Sequence, residues 1–203
     1  MHINLEWLIL KNKKSPVGQY ILEGVGDTDN AHEYVEELLP LIGKVVLFFN
    51  ALESDIDELI CADISDRSDH KGLLVLHNMT YATKVKLYER FKSEELRICG
   101  WELPSFNELI SKLSECGTLR NKVIHASWEN TNNGGYTHVR FKMGKDGLEH
   151  EYLQFSADSL KGVIEKIIEA RERIDQFEEQ LAEKHDEFQQ KKCRGRWRLR
   201  IIS

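Results

Sequence analysis

Arg120-Asn121-Lys122-Val123-Ile124-His125 holds three side chains whose types and spacing suit phosphate-ester chemistry. A guanidinium keeps its charge and offers a planar fork of donors to phosphate or carboxylate oxygens. An unperturbed imidazole titrates near pH 6.5, so as a group it can take and return a proton at neutral pH. An amide beside them can orient either one. The elements around them must therefore bring Arg120, Asn121 and His125 together, and helical spacing does so. A helix is predicted from about Ser105 to Trp128, opened by Ser105-Phe106-Asn107-Glu108 as a capping box with Pro104 just outside. Phe106, Leu109, Ile110, Leu113, Cys116 and Ile124 recur at helical intervals and define an apolar stripe. At about 100° per residue, Arg120 falls near the middle of that stripe. A charge is seldom tolerated there without a partner or a purpose. Asn121 and His125 form an i,i+4 pair on the polar edge beside it.

Arginine, a polar residue, a short spacer and histidine at the end of an amphipathic helix in a small helical chain resembles the signature of the HEPN domain family (higher eukaryotes and prokaryotes nucleotide-binding). Here the spacer between arginine and histidine runs from Asn121 to Ile124, helices flank the motif, and Trp128 follows the histidine. The resemblance implies a metal-independent endoribonuclease, a hydrolase without cofactor or metal, acting as a toxin or antiviral defence effector. Two copies would bring their motifs together across a homodimer interface. His125 would serve the ribose 2′-OH and the leaving oxygen as acid and base, and Arg120 would meet charge building on the phosphate. Asn121 would orient His125 or hold the phosphate, and the product would be a 2′,3′-cyclic phosphate. Family members controlled by a nucleotidyltransferase antitoxin often carry tyrosine two residues after the histidine. This chain has Ser127 there, which weakens that form of toxin–antitoxin control and leaves an antitoxin or regulatory protein of another kind as the expected partner. The alternative is a non-catalytic HEPN-like module that binds RNA, a nucleotide or a partner protein. A blander reading gives Arg120 a purely structural role, paired with Glu115, Glu53 or Asp57.

Composition bounds these readings. At 203 residues and 41% hydrophobic the chain can build a real core. No run approaches the roughly 18–20 apolar residues that span a bilayer, so no membrane association is expected. Met1 to Leu10 carries Glu6 and no basic start, unlike a signal peptide. Cys61, Cys99, Cys116 and Cys193 are scattered, which favours reduced thiols in a cytoplasmic protein over zinc or disulfides. No Walker-type loop, dinucleotide fingerprint or His-Glu-x-x-His is present. The net charge of −6 is uneven: residues 191–203 contribute six positive charges, leaving −12 on the other 190 residues. RNA would therefore meet a local patch or that basic end, where Lys191, Lys192, Arg194, Arg196, Trp197, Arg198 and Arg200 could bind backbone and stack on bases. A solvated tail is the competing reading.

The remaining elements follow in chain order. Residues 1–30 form an N-terminal segment, expected as a β-hairpin from the alternation of Ile3, Leu5, Trp7 and Ile9 and of parts of Gln19 to Val25, with Lys11 to Pro16 as the connector. Residues 31–190 form a HEPN-like helical domain, and 191–203 a basic C-terminal tail. A first long helix is predicted over Ala31–Ile64 and a second over Gly72–Leu96, with His77 inside it. Glu53, Asp55, Asp57 and Glu58 read as a solvated acidic face rather than paired catalytic carboxylates. After a turn at Glu129 to Gly135, a β-hairpin spans about 136–155 around Gly144-Lys145-Asp146-Gly147, with His138 facing His150 across it. A last helix runs from near Ser156 or Asp158 to about Gln190. The expected class is mainly α: an antiparallel helical bundle with a β-hairpin before the last long helix.

Overall fold

In the computed structural model, which describes residues 10–18, 31–65 and 67–200, five helices and four strands follow one another. They are β1 (Asn12–Pro16), α1 (Ala31–Ile64), α2 (His70–Leu76), α3 (Tyr81–Cys99), α4 (Ser105–Ile124), β2 (Ser127–Thr131), β3 (Tyr136–Gly144), β4 (Gly147–Gln154) and α5 (Ala157–Arg200). The protein is mainly helical. Helix α1 keeps its predicted bounds because Leu38, Val45, Phe49, Leu52, Ile56 and Ile60 recur every three to seven residues and are all buried. Pro40 and Glu36 are both exposed, so the carbonyl that Pro40 leaves without a helical donor faces water. Helix α5 lays Leu160, Ile167, Ile174, Phe177 and Leu181 along one seam against α1 and α4. Each of these side chains is worth about 2 kcal/mol on full burial, so this seam and that of α1 dominate the stability of the helical part.

The second predicted helix is in fact two. Asn78 takes a left-handed backbone at φ 64°, and Thr80 starts α3 by accepting a bond from the Thr83 N–H at 3.4 Å. His77 lies in this break and is exposed, not inside a helix. The pattern Asn-x-Thr-x-x-Thr carries the signal, since asparagine tolerates the left-handed region and threonine caps. Gly100 closes α3 at φ 66°, with its N–H bonded to Arg97 O and the Trp101 N–H to Leu96 O. That glycine-centred cap turns the chain toward α4.

The sheet is larger than a hairpin. Its order is β1-β4-β3-β2, antiparallel throughout. The expected N-terminal hairpin falls mostly on residues 1–9 and 19–30, outside the described residues. Its connector, however, is strand β1. Lys13, Lys14 and a terminal Pro16 suit an edge strand, where charge and a missing donor discourage further pairing. Asn12 Nδ2 donates to Glu151 Oε1 at 2.7 Å, tying that edge down. Strand β3 bulges between His138 and Arg140, which breaks the simple alternation and puts His138 and Phe141 on one face. His138 and His150 do approach, with ring centroids 5.2 Å apart, inside an aromatic group with Phe141 and Tyr152. Leu153 and Phe155 join the helical core, so the opposite face is the one that packs on the helices. Gly135 at φ 77° allows the closest approach: a Cβ there would lie 2.4 Å from the Tyr34 hydroxyl and 2.5 Å from Phe155 O.

Candidate functional site

Helix α4 carries the motif, and tertiary contacts set both of its ends. Ser105 does not cap it: Pro104 takes the cap position without a side-chain bond, and Ser105 Oγ instead bonds Gln180 Oε1 at 3.0 Å. Four residues sooner than predicted, the helix stops at Ile124. The Trp128 indole N–H donates to Val123 O at 2.9 Å, filling one orphan carbonyl of the last turn, and the ring packs on Phe155 at 4.9 Å. Ser127 then pairs with His138 in the sheet. His125 therefore occupies the C-cap, with its N–H still bonded to Asn121 O at 3.0 Å. The apolar stripe is close to the predicted one: Phe106, Leu109, Leu113 and Cys116 are buried, but Val123 rather than Ile124 completes it.

Arg120 is half-buried at the edge of that stripe. Its guanidinium lies over the Phe49 ring, 5.1 Å from the centroid, and Nη1 donates to Asn121 Oδ1 at 3.0 Å. Nε is shielded from water and has no acceptor among the described residues. No carboxylate pairs with Arg120 among the described residues. Each partner named for a structural role is engaged elsewhere: Glu53 and Asp57 hold Lys84 at 2.8 and 2.7 Å, and Glu115 pairs with Lys166. Three of the four carboxylates on the acidic face are thus paired, since Asp55 also binds Arg171 at 2.6 Å, while Glu58 is exposed. Burial works against the charge on Lys84, but its bonds to Asp57 and Glu53 outweigh it and hold the ammonium above the usual lysine range.

Arg120 and Asn121 open onto a cavity of about 750 Å³ between α1, the start of α3 and α4. Phe49, Met79, Tyr81 and Val85 give it apolar walls, and Lys86 adds a second cation. The geometry of this wall follows from Gly117. A Cβ at Gly117 would sit 2.8 Å from the Tyr81 ring, so only glycine lets that ring approach α4 this closely while its hydroxyl donates to Leu113 O at 3.0 Å. Tyr81 in turn packs on Phe49 at 4.6 Å, on the ring that also carries Arg120. Burial pushes the Tyr81 phenol far up and the Cys116 thiol up to about 12, so neither supplies a nucleophile at neutral pH.

The structure brings two of the three motif side chains together. Arg120 and Asn121 touch and share the cavity, while His125 is exposed at the helix end, away from the cavity wall, with no side-chain bond to Asn121. The residues that sequence reasoning missed are Phe49, Tyr81, Gly117 and Lys86. Phe49 was legible as core and Gly117 as a small residue mid-helix, but their meeting at Arg120 depends on how α1, α3 and α4 pack. The basic end is reached by a longer helix than predicted, since α5 continues to Arg200 rather than stopping near Gln190. The side chains of Lys191, Lys192, Arg194, Arg196, Trp197, Arg198 and Arg200 lie outside the described residues. Beyond Leu181, His185 and Phe188 pack on Trp101 at 4.7 and 6.5 Å, and His185 also meets Glu95 at 2.6 Å. Among the described residues no group of three or more histidine, cysteine or acidic side chains is placed to hold a metal ion, and no helix is long and apolar enough to cross a membrane.

Fold and site together define a mainly helical protein with a four-stranded antiparallel sheet and an arginine-lined cavity in its helical part. No family model, no curated protein and no solved structure matches the chain.

Proposed function

We propose that this chain is a HEPN-type endoribonuclease, working without metal as a homodimer in the cytoplasm, in the role of a toxin or antiviral defence effector. The observation that carries the reading is an arginine without a carboxylate, held on Phe49 with Asn121 beside it, one helical turn before an exposed histidine. A helix built only for packing gives position 120 to an aliphatic residue. Here the guanidinium stays available for a phosphate. His125 takes the proton of a ribose 2′-OH, the oxygen attacks phosphorus, and His125 returns the proton to the 5′-oxygen as its bond to phosphorus breaks, giving a 2′,3′-cyclic phosphate and a 5′-hydroxyl. Arg120 and the Asn121 amide meet the charge that grows on the phosphoryl oxygens. Because His125 stands outside the cavity that holds Arg120, a second copy is needed to close a cleft around both. The basic continuation of α5 then offers RNA a docking arm on an otherwise acidic protein.

The lack of a bond between Asn121 and His125 favours one second reading, a HEPN-like module that binds RNA, a nucleotide or a partner protein without cleaving it. Cleavage of mixed RNA in chelator separates the two. The parent protein is expected to cut and leave cyclic-phosphate ends, and His125→Ala and Arg120→Ala to leave RNA intact. Cleavage by neither parent nor variants supports the binding module; equal cleavage by all three refutes the assigned roles. A strictly monomeric protein that still cuts removes the composite cleft.

A further inference from the structure

The cavity has a chemistry of its own, set by its walls and independent of RNA cleavage. Its volume of about 750 Å³ lies within the rough range of 300–1,000 Å³ that small-molecule sites occupy. The donors facing it outnumber the acceptors committed to them. Arg120 uses Nη1 on Asn121, which leaves Nη2 without an acceptor among the described residues. Asn121 spends its carbonyl oxygen on that bond, which leaves its NH₂ free to donate. Lys86 has no ion pair among the described residues. The first turn of α3, at Tyr81 and Ala82, adds backbone N–H groups that the helix itself does not use. Of the lining carboxylates, Glu53 shares the Lys84 ammonium with Asp57. Glu89 has no ion pair among the described residues, so the favourable charge is local to Arg120 and Lys86 and suits one small anionic group. Phe49, Met79, Tyr81 and Val85 supply the apolar contact for the rest of a ligand.

We propose that this cavity binds a small organic anion, a single phosphate or carboxylate on an aromatic or compact apolar body, with the anionic group on the Arg120 guanidinium and the body among Met79, Tyr81 and Val85. Such an occupant accepts from Arg120 Nη2, which has no acceptor among the described residues, and covers the apolar wall at the same time.

Phenyl phosphate and phenylacetate are the probes, with inorganic phosphate and phenol as the halves of the first, titrated into the full chain by calorimetry. Both aryl anions are expected to bind saturably, with phenyl phosphate at least about tenfold tighter than either half, since the halves each forgo either the charge-assisted bonds or the apolar burial. Arg120→Ala should weaken it by about tenfold or more, and Arg120→Lys, which keeps the charge and loses the fork, by less. Ala82 lines the cavity from an exposed position, so Ala82→Trp should block binding while circular dichroism shows the fold intact. No saturable binding of either aryl anion overturns the inference. So does binding that Arg120→Ala and Ala82→Trp leave unchanged, or phenol binding as tightly as phenyl phosphate. Binding by a protein that never cuts RNA upholds this inference and removes the ribonuclease reading; cutting without binding does the reverse.

Discussion

Replacing Arg120 by methionine separates a functional arginine from a structural one, because the two roles predict different stabilities. Methionine keeps most of the aliphatic stem that packs on the helix. What is lost is the contact with the Phe49 ring at 5.1 Å, worth about 1 kcal/mol at a half-buried site. The exposed bond to Asn121 adds roughly 0.5 kcal/mol. What is relieved is the enclosed Nε without an acceptor, a cost of about 1–3 kcal/mol. These terms nearly cancel, so Arg120→Met should lie within about 1.5 kcal/mol of the parent in urea unfolding, with stabilisation the favoured direction. Cleavage of RNA should be lost in the same protein. A group that costs stability where it stands and is needed for activity is the pattern of a functional residue. Destabilisation by more than about 2 kcal/mol, the mark of a broken internal network, would refute the reasoning and return Arg120 to a structural role.

The buried cation Lys92 sets a contrasting expectation. It contacts Asp63, Glu178 and Glu95 at 3.0, 3.3 and 3.6 Å, and Tyr88 donates to Glu178 at 2.8 Å. Lys92→Met leaves these carboxylates facing one another and should cost about 3 kcal/mol at pH 7, the low end for a broken buried pair because the carboxylates are partly solvated. Burial already raises the Asp63 carboxyl, and losing Lys92 raises it further. Its folded pKa then exceeds its unfolded one, so the folded state binds protons more tightly and stability rises as pH falls toward the unfolded carboxylate range. Thermal unfolding of Lys92→Met should therefore recover part of the loss near pH 4–5 (roughly the region where unfolded carboxylates titrate); no recovery refutes the assignment. In the parent, the Lys92 ammonium is held above the usual lysine range, burial being outweighed by Glu178 and Asp63, so its contribution is complete below that range and disappears in strong alkali. Gly135→Ala combines a φ of 77° with a Cβ placed against Tyr34 and Phe155 and should destabilise by more than about 2 kcal/mol in urea. Under the ribonuclease reading, phenyl phosphate in the cavity should inhibit RNA cleavage competitively in a kinetic assay, because both ligands claim Arg120.

Much of the helical part was legible because each seam is written locally. The 34-residue α1 could be bounded from apolar spacing alone, and the buried positions of α5 from Leu160 to Leu181 could be named in advance. The β3–β4 hairpin was legible from Gly144-Lys145-Asp146-Gly147, where the positive φ of 121° falls on Gly147, just after the two turn residues. Less visible was every feature that one segment imposes on another. Strand β1 is a run of lysines that reads as a connector until β4 offers it partners. The end of α4 depends on a tryptophan reaching back to Val123 O, and the acidic face of α1 depends on Lys84 and Arg171 arriving from other helices.

Sequence by itself determined the types and order of the motif side chains, Arg120, Asn121 and His125, and the helix that carries them. It also determined that an arginine would fall on a face otherwise given to apolar residues. Tertiary structure alone decided what that arginine meets. Phe49 comes from α1 and Tyr81 from α3, 71 and 39 residues away in the chain, and Gly117 lets them close around it. The separation of His125 from the cavity is also a tertiary outcome, because the sheet pulls Ser127 into register with His138 and ends the helix there. Local spacing fixes direction along one helix; only packing between helices fixes whether a charge finds a carboxylate, a ring or an open cavity.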